Sequence, residues 1–351
     1  MYNITIGMDI GDQKNQIHVL NVDGETTKIC RITNTQKAIE EFFCQYPGAL
    51  VAIEACSHSP WISRILKKIV AKVLVGNPRK LRMIWASDQK DDVRDAEMLA
   101  RIARLDASLL YPINHKGEQN QADRALLKAR DILVKTRSSL ILHVRGSVKS
   151  MGGRVVGCSS ASFHKNAAEY IPDLLKLPLA PILKQIEDIS MNILEYDKAI
   201  KKISLERYPA TEILQQVGGV GPVTALAYVV TIEDPANFPK SRDVGPYLGM
   251  TPRRDQSGDS DKQLRITKAG DRYMRRLLVQ SAHYILGAFG EDSNLRRFGL
   301  RLAERGGKNA KRRAVVAVAR KLAVLLHRLW ITGEVYEPLY KPAKVIMKEA
   351  A

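Results

Sequence analysis

The order of apolar and polar residues divides the chain into an N-terminal part with short strands and a longer part with helical spacing. Residues 4–10, 16–22 and 26–32 are short runs that contain β-branched residues, and Asp23-Gly24 lies between the last two. An Asp-Gly pair between two such runs is typical of a hairpin. The pattern therefore predicts an antiparallel meander of three strands.

Strands and helices alternate after this meander. The predicted elements are a helix from its cap at Asn34 to about Tyr46, a buried strand over 50–55, a helix over 60–70, a strand over 72–75 and a helix that opens at Asn77-Pro78. Such alternation after a meander predicts a mixed α/β sheet with helices on its faces.

The rest of the chain is mostly helical in pattern. Two long helical patterns cover about 118–145 and 180–208, and a loop with Gly152-Gly153 separates them. They predict a helical hairpin or coiled-coil arm, although two core helices of a bundle would give the same short pattern. The expected organisation is an α/β domain over 1–115, a helical arm over 116–208 and a mostly helical C-terminal domain over 209–351.

Four acidic residues form the first chemical pattern. Asp92 and Asp95 are three apart at the start of a predicted helix and share one of its faces, whereas Asp9 and Glu54 lie near the ends of predicted strands. This order of acids resembles that of RNase H-like nucleases of the RuvC type. Carboxylates are the ligands that Mg²⁺ prefers, and a two-metal site needs about this many of them.

The net charge of +18 and the pI near 9.7 predict a polyanionic partner, with nucleic acid as the first candidate. A membrane surface is the competing partner, but there is no basic amphipathic N-terminal helix and no apolar run of about 18 residues. The N-terminus does not read as a signal peptide. Four cysteines without a CxxC pair are expected to be free thiols in a cytoplasmic protein.

Two features are candidates for contacting nucleic acid. The turn that contains Gly219 and Gly221 resembles a helix-hairpin-helix element, in which exposed backbone N–H groups bind phosphate, although a tight turn needs glycine for steric reasons alone. A run of cations with few acids follows it from Arg253 to Arg328, and a solvated helix face is the alternative reading. The candidate cations are Arg253, Arg254, Lys262, Arg265, Lys268, Arg272, Arg275 and Arg276, and the run continues with Arg296, Arg297, Arg301, Arg305, Lys308, Lys311, Arg312 and Arg313.

Ser257-Gly258 lies among these cations, in what reads as a flexible polar loop. An exposed serine surrounded by positive charge has the chemistry to attack a phosphodiester, provided that its proton is removed and the phosphate charge is neutralised. Spacing alone favours an ordinary loop serine, because no histidine is adjacent in the sequence to act as a base.

Taken together, these motifs resemble one known family over nearly the whole chain. They are GMDIG with Asp9, IEA with Glu54, KDDVRDAEMLARIA with Asp92 and Asp95, VGGVGPVTA, and YLGMTPRRDQSG followed by RITKAGDRYMRRLL. The combination is similar to the DEDD transposases of the IS110 and IS1111 insertion-sequence groups, which are also called bridge-RNA recombinases.

The resemblance implies a function in detail. Asp9, Glu54, Asp92 and Asp95 would bind Mg²⁺, and Ser257 would attack DNA to form a phosphoserine intermediate. Acids and serine would come from different protomers of a homo-oligomer, a dimer or a tetramer. Its partners would be double-stranded donor and target DNA and a structured noncoding bridge RNA, in the bacterial cytoplasm at the nucleoid.

Two residues depart from the family pattern, and three alternative functions stay open. Asp91 stands where the family more often has Thr or Asn, and Asp259 follows Gly258 where it often has glycine, which leaves Ser260 as a second candidate nucleophile. The alternatives are a junction endonuclease in which water attacks, a nucleic-acid scaffold without catalysis, and a sugar-kinase-like or actin-like ATPase, which shares the GMDIG start.

Overall fold

The computed structural model describes residues 2–81 and 91–340. The chain divides into two compact units, residues 1–117 and 118–351. No helix of the described residues is long and apolar enough to cross a membrane. The four cysteines are free thiols.

The first unit is built on a mixed sheet of five strands in the order β3-β2-β1-β4-β5. The first three strands form an antiparallel meander, as predicted, and β4 and β5 run parallel to β1. The strands are β1 (Thr5–Ile10), β2 (Lys14–Leu20), β3 (Thr26–Thr33), β4 (Leu50–Glu54) and β5 (Lys72–Gly76).

Three described helices cover the two faces of this sheet. Helices α1 (Gln36–Phe43) and α2 (Ser59–Leu66) pack on the face that carries Ile6 and Met8. Helix α3 (Asp92–Leu105) packs on the opposite face, where its Leu99 lies in a cluster with Leu50 and Ala52 of β4. Because side chains alternate along a strand, one strand supplies both layers of the core.

The cap of α1 differs from the prediction. Asn34 is not the cap of α1, because its amide donates to the carbonyl of Gly11 at 2.9 Å and Thr35 is the cap, accepting from the N–H of Ala38 at 3.3 Å. Asn34 thus connects the end of β3 to the turn after β1. Asn34 and Gly11 are 23 positions apart, so the local pattern could not predict this contact. Residues 78–80 form a turn, and the continuation of the helix predicted to open at Asn77-Pro78 lies outside the described residues.

The second unit contains nine described α-helices and one small sheet. They are α4 (Glu118–Ser150), α5 (Phe163–Ala167), α6 (Asp173–Arg207), α7 (Ala210–Gln215), α8 (Pro222–Ile232), α9 (Val244–Tyr247), β6 (Pro252–Ser257), β7 (Ser260–Ile266), α10 (Arg272–Leu286), α11 (Asn294–Ala303) and α12 (Gly307–Thr332). Helix α6 begins seven residues earlier than predicted and contains Pro178 and Pro181 near its start. Each proline removes one backbone donor and crowds the carbonyl four residues before it, which is why the pattern did not predict helix there.

The two long helices α4 and α6 lie side by side and antiparallel. Polar contacts join their facing residues: Arg130 binds Asp197 at 2.6 Å, and Arg137 donates to Ser190 at 3.2 Å. The buried Asp123 accepts from both Arg207 and Tyr208 at 2.8 Å. The two predicted long helices are present, and their role as a separate coiled-coil arm stays a prediction.

Helix α8 is the centre of the largest core. Every residue from Thr224 to Ile232 is buried, so the helix is apolar on all sides. Its Tyr228 is fully buried and donates to the carbonyl of Ala323 at 2.6 Å, and burial raises the pKa of this phenol. A buried hydroxyl with a good acceptor keeps its hydrogen bond without losing hydration. This core fixes the positions of the surrounding helices.

Candidate functional site

Two of the predicted acids lie at the carboxyl ends of neighbouring parallel strands. Met8 of β1 is in register with Ile53 of β4, and Asp9 and Glu54 are the next residue along each strand. Both are half-buried. They therefore occupy adjacent positions at one edge of the sheet.

Asp9 and Glu54 also share the face that α3 covers. Gly7 lies directly under this helix, since a β-carbon there would be 1.9 Å from the carbonyl oxygen of Ala96. Residues two apart along a strand lie on the same face, so Asp9 follows Gly7 on the α3 side. Glu54 follows Ala52, which packs with α3, in the same way.

The direction of α3 brings the other two acids to that edge. At its C-terminal end, Arg104 donates to the carbonyls of Asn21, at 3.1 Å, and of Val22, which lie in the turn after β2. This turn is at the end of β1 away from Asp9, because β2 runs antiparallel to β1. The N-terminal end of α3, with Asp92 and Asp95 in its first turn, therefore points toward the edge of Asp9 and Glu54.

Asp91, the additional carboxylate, has a structural role here. Its side chain accepts from the N–H of Val93 at 3.1 Å and caps α3. Carboxylates in the first turn also interact favourably with the helix dipole. A cap of this kind accounts for Asp91 without any role in binding a ligand.

The four acids have the oxygen donors that a hard divalent cation requires, and α3 directs Asp92 and Asp95 toward the edge that carries Asp9 and Glu54. Among the described residues, however, no three His, Cys, Asp or Glu side chains are grouped closely enough to hold a metal ion. Asp92 is exposed, while Asp9, Glu54 and Asp95 are half-buried and take part in contacts within the protein. Ion binding would thus require these side chains to reorient.

Ser257 lies at the tip of a β-hairpin, so the expectation of a flexible loop was wrong. It is the last residue of β6 and pairs with Ser260, the first residue of β7. Gly258 at the turn has φ of +53°, a conformation that glycine adopts readily. All six residues of β6 are exposed. A strand without an apolar face gives no period-two signal, which explains why the pattern missed it.

A bidentate ion pair bridges the two strands of this hairpin. Nε and Nη2 of Arg254 donate to the two carboxylate oxygens of Asp261 at 2.8 and 2.7 Å. The guanidinium holds the pKa of the Asp261 carboxyl below its usual range. Arg254 is therefore already partly neutralised within the protein.

Two glycines fix the base of the hairpin. A β-carbon at Gly249 would be 2.3 Å from the N of Ala269, and one at Gly270 would be 2.2 Å from the carbonyl oxygen of Tyr247. The backbone segments before β6 and after β7 thus cross in direct contact. Arg275 reinforces the crossing by donating to the carbonyls of Leu248 and Gly270 at 3.0 and 2.5 Å.

The predicted nucleic-acid-binding cations separate into two groups. Arg254, Arg275 and Arg276 are engaged inside the protein, Arg276 with Asp131 of α4. Lys268 also has contacts within the protein, and its φ of +56° is rare for a side-chain-bearing residue. The second group of these predicted cations is exposed and has no acidic partner among the described side chains. It consists of Arg253, Lys262, Arg265 and Arg272.

The glycine-rich turn lies between α7 and α8, as predicted. Gly219 has φ of +85°, and a β-carbon there would be 3.1 Å from the carbonyl oxygen of Ser281. The positive φ and this close approach together favour glycine at this position. Gly221 is exposed and caps α8, with open space around its α-carbon. The steric reading accounts for Gly219, and Gly221 is the candidate for contacting phosphate.

The sequence reasoning missed a polar cluster that follows Glu54. His58 binds Asp12 at 3.2 Å through Nε2 and accepts from the indole N–H of Trp61 at 3.3 Å. The buried Ser59 contacts Nε2 of His115 at 2.8 Å and donates to the carbonyl of Cys56. Burial, with Lys67 and Arg64 nearby, lowers the pKa of His115.

Comparison with known proteins supports the same reading of the chain. Residues 6–151 match the family profile of the DEDD transposases of the IS110 group, and residues 211–294 match the profile described as Transposase IS116/IS110/IS902 family. A probable family 20 transposase of Pseudomonas aeruginosa is 27% identical over 95% of this chain and 98% of its own length.

Two further relatives extend the comparison. The transposase for insertion sequence element IS1111A of Coxiella burnetii is 28% identical over 82% of this chain and 79% of its own length. A pilin gene-inverting protein of Moraxella lacunata is 29% identical over 32% of this chain and 34% of its own length.

Fold and comparisons together define a class first: the protein is a DNA-processing enzyme of the transposase type. Within that class, the chain belongs to the IS110 family of DEDD transposases.

Proposed function

We propose that the protein is an RNA-guided DNA recombinase that cleaves and rejoins strands through a phosphoserine intermediate at Ser257. The observation that carries the proposal is the position of Asp9 and Glu54 at one edge of the sheet, toward which the N-terminal end of α3, with Asp92 and Asp95, points. The strand order, with a meander followed by two parallel strands, supports an RNase H-like interpretation of this unit.

The four acids would hold Mg²⁺, which supplies positive charge for the scissile phosphate when it is bound. Asp9 and Glu54 are placed by strand register, whereas Asp92 and Asp95 are placed by the cap and the packing of α3. A carboxylate set on regular elements is held in position better than one on loops. The proposed role of this chain is to keep these oxygen donors at one edge.

The serine step balances as a transesterification. The Oγ of Ser257 attacks phosphorus as its proton passes to water, and the bond from phosphorus to one ester oxygen of DNA breaks. That oxygen leaves with a proton, and the new phosphoserine bond retains the energy of the old one. The reverse attack by a DNA hydroxyl rejoins a strand and releases Ser257. The exposed cations Arg253, Lys262 and Arg265 on the same hairpin would neutralise phosphate charge.

The partners follow from the same proposal. Double-stranded donor and target DNA and a structured bridge RNA would neutralise the excess positive charge of +18. Assembly into a dimer or tetramer is supported by exposed apolar side chains on α4 and α6. These side chains are Ile132, Leu142, Leu174, Leu177, Met191 and Leu194.

A covalent trap tests the serine. Wild-type protein with its RNA, Mg²⁺ and a nicked, labelled DNA substrate should give a protein–DNA adduct that survives denaturation. Ser257→Ala should abolish the adduct and keep DNA binding, whereas the control Ser260→Ala should form it. Adduct at the wild-type level from Ser257→Ala would refute the serine role. Cleavage without any adduct would instead favour the alternative, a RuvC-like junction endonuclease in which water attacks.

A second measurement tests the metal without relying on activity. Mg²⁺ should raise the melting temperature of the wild-type protein, because an ion that binds only the folded state stabilises it. Asp9→Asn should remove most of this shift. An equal shift in both proteins would contradict the assignment of Asp9 as a ligand.

A further inference from the structure

The strongest concentration of positive charge lies outside the residues proposed for the reaction. Residues 294–333, which span α11 and α12, contain eleven Lys or Arg residues and one acid, Glu304. The net charge of the whole chain is +18. This one helical pair therefore carries more than half of the excess charge in about a ninth of the length.

Several of these cations have partners inside the protein. Arg296 donates to the carbonyls of Ile285 and Gly287 at 2.6 and 2.7 Å. Arg297 pairs with Asp292 at 2.5 Å and Arg328 with Glu334 at 3.0 Å. The ammonium group of Lys321 lies 3.8 Å from the centre of the Phe298 ring. These contacts account for cations at the two ends of the pair and along its packed side.

Five exposed cations remain around the turn between the helices. None of them forms an ion pair within 4.0 Å with an acid among the described side chains. Glu304, which lies in the same segment, is not paired with any of them either. We call this surface the basic corner. Its members are Arg301, Arg305, Lys311, Arg312 and Arg313.

The packing of the two helices holds the basic corner in place. A β-carbon at Gly299 would be 2.5 Å from side-chain atoms of both Leu286 and Val318, so α11 lies very close to its neighbours. Ala314 and Val318 of α12 are fully buried. Arg301 is about half a helical turn round from Gly299 and therefore faces solvent. The cations are presented by helices that are fixed on a core.

Charge and composition indicate the kind of partner. Like charges on a compact surface repel each other unless a polyanion neutralises them. A membrane-binding surface combines cations with large apolar side chains, and a single-strand-binding surface uses aromatic platforms. Residues 301–313 contain no aromatic residue and only one large apolar residue, the half-buried Leu302. A regular phosphate backbone fits this composition best.

We propose that the basic corner binds the phosphate backbone of double-stranded DNA without reading its sequence. This contact is additional to the proposed reaction at Ser257 and does not depend on it. Its role is to hold the duplex that flanks the reacting strands, and its binding would release counterions from the DNA.

The test compares two full-length variants that lose the same charge. In the first, the five cations of the basic corner are changed to glutamine: R301Q, R305Q, K311Q, R312Q and R313Q. In the control, five exposed lysines that form ion pairs on other helices are changed: K37Q, K176Q, K184Q, K198Q and K202Q. Binding to a labelled 30-bp duplex of arbitrary sequence is measured by fluorescence anisotropy from 50 to 200 mM KCl.

The basic-corner variant should lose more than tenfold in affinity at 100 mM KCl. The slope of log K against log [KCl] should fall by about 0.9 for each phosphate contact that is lost, or roughly 4 for most of the five. The control should change this slope by less than about 1. Equal slopes for the two variants would overturn the proposal, because net charge alone would then explain the loss.

Two further arms keep the result interpretable. If circular dichroism shows that the variant with five substitutions is misfolded, the double variant Arg312→Gln with Arg313→Gln replaces it. The double variant should lower the slope by about 2. A loss seen with duplex RNA or single-stranded DNA but not with duplex DNA would also overturn the proposal. Ser257→Ala should bind duplex with the wild-type slope, so a failure of the serine mechanism is distinguishable from a failure of the basic corner.

Discussion

The acid edge of the first unit (Asp9 and Glu54, with Asp92 and Asp95 of α3) and the serine hairpin of the second unit (residues 252–266) are built in opposite ways. The acids lie on elements that pack on both faces of a buried sheet, where Gly7 allows α3 to approach within contact of the backbone. Ser257 lies at the end of two strands with an exposed β6 face, joined at their base by crossing backbone segments. One region is fixed by burial and the other by a few polar contacts.

This difference fits the two proposed roles. Ligands for a small hard cation need a stable backbone at defined positions, and regular buried elements provide it. A proposed nucleophile for DNA must reach a large substrate, and an exposed hairpin provides that access.

The largest effect is expected at the acid edge. Asp9→Asn and Glu54→Gln should each lower strand cleavage by about 10² to 10⁴, because a carboxylate ligand supplies several kcal/mol of charge stabilisation through the bound ion. Cleavage is measured with labelled donor DNA and the cognate RNA under single-turnover conditions.

Asp91→Asn is the matched control for this change. It removes a carboxylate next to Asp92, but asparagine is an equally good helix cap, so α3 should stay intact. Cleavage should stay within about threefold of the wild type, as for a surface change of less than 1 kcal/mol. Full activity of Asp9→Asn, or a loss in Asp91→Asn as large as in Asp9→Asn, would contradict the assignment.

The next effect concerns the scaffold under the acids. Gly7→Ala should destabilise the first unit by about 2–3 kcal/mol, because the added methyl group cannot fit beside Ala96 without moving α3. Urea unfolding followed by circular dichroism measures the change. The control is Gly48→Ala, since a β-carbon at Gly48 has no atom within 4 Å. If the two variants are equally stable, α3 does not pack against Gly7 closely enough to exclude a methyl group.

The same contrast explains what could be predicted from the sequence. The meander and β4 follow from apolar runs and the Asp23-Gly24 turn, because burial imposes a pattern on the residues. The order of the strands then places Asp9 and Glu54 at one edge. The hairpin of Ser257 could not be predicted in this way, since all six residues of β6 are exposed and carry no such pattern.

Side-chain pairing also could not be read from the sequence. The run 253–276 contains eight Lys or Arg residues and four Asp residues. Its charge pattern does not show that Arg254 pairs with Asp261 seven residues away or that Arg276 pairs with Asp131 on another helix. Arg275 holds two backbone carbonyls and is a structural residue. Which cations are available for phosphate depends on tertiary contacts, and the local charge pattern does not contain that information.

A smaller effect is expected at the hairpin. Asp261→Asn removes the ion pair with Arg254, and an exposed pair of this kind contributes little to the free energy of unfolding. Global stability should therefore hardly change. We expect the rate of adduct formation at Ser257 to fall several-fold, because the tip loses its cross-strand anchor.

Asp255→Asn separates anchoring from charge. It removes the same charge from the same hairpin, but Asp255 forms no ion pair with the described side chains. Loss of a negative charge alone should favour DNA, so this variant should form adduct at least as fast as the wild type. If both variants react at the same rate, the Arg254–Asp261 pair does not position the serine.

The smallest effect tests how tightly α3 covers the sheet. His18 is 2% exposed beneath α3, and Nε2 lies 2.9 Å from Oγ1 of Thr26. Burial lowers its pKa, Glu97 raises it and Arg101 lowers it, and the net shift is downward. The unfolded chain therefore binds the proton more tightly than the folded chain. The contribution of neutral His18 to the free energy of unfolding is therefore complete above the ordinary histidine pKa of about 6.5. It is lost as the pH falls below that value.

His18→Gln should flatten this pH dependence, because glutamine retains an amide donor for Thr26 and does not titrate. The difference in slope between the two proteins cannot exceed about 1.4 kcal/mol per pH unit for one proton. Urea unfolding at pH 5, 6, 7 and 8 measures it. Parallel curves for the two proteins would mean that water reaches His18 in the folded state. The acid edge would then be less firmly covered than its packing indicates, and its contrast with the hairpin would weaken.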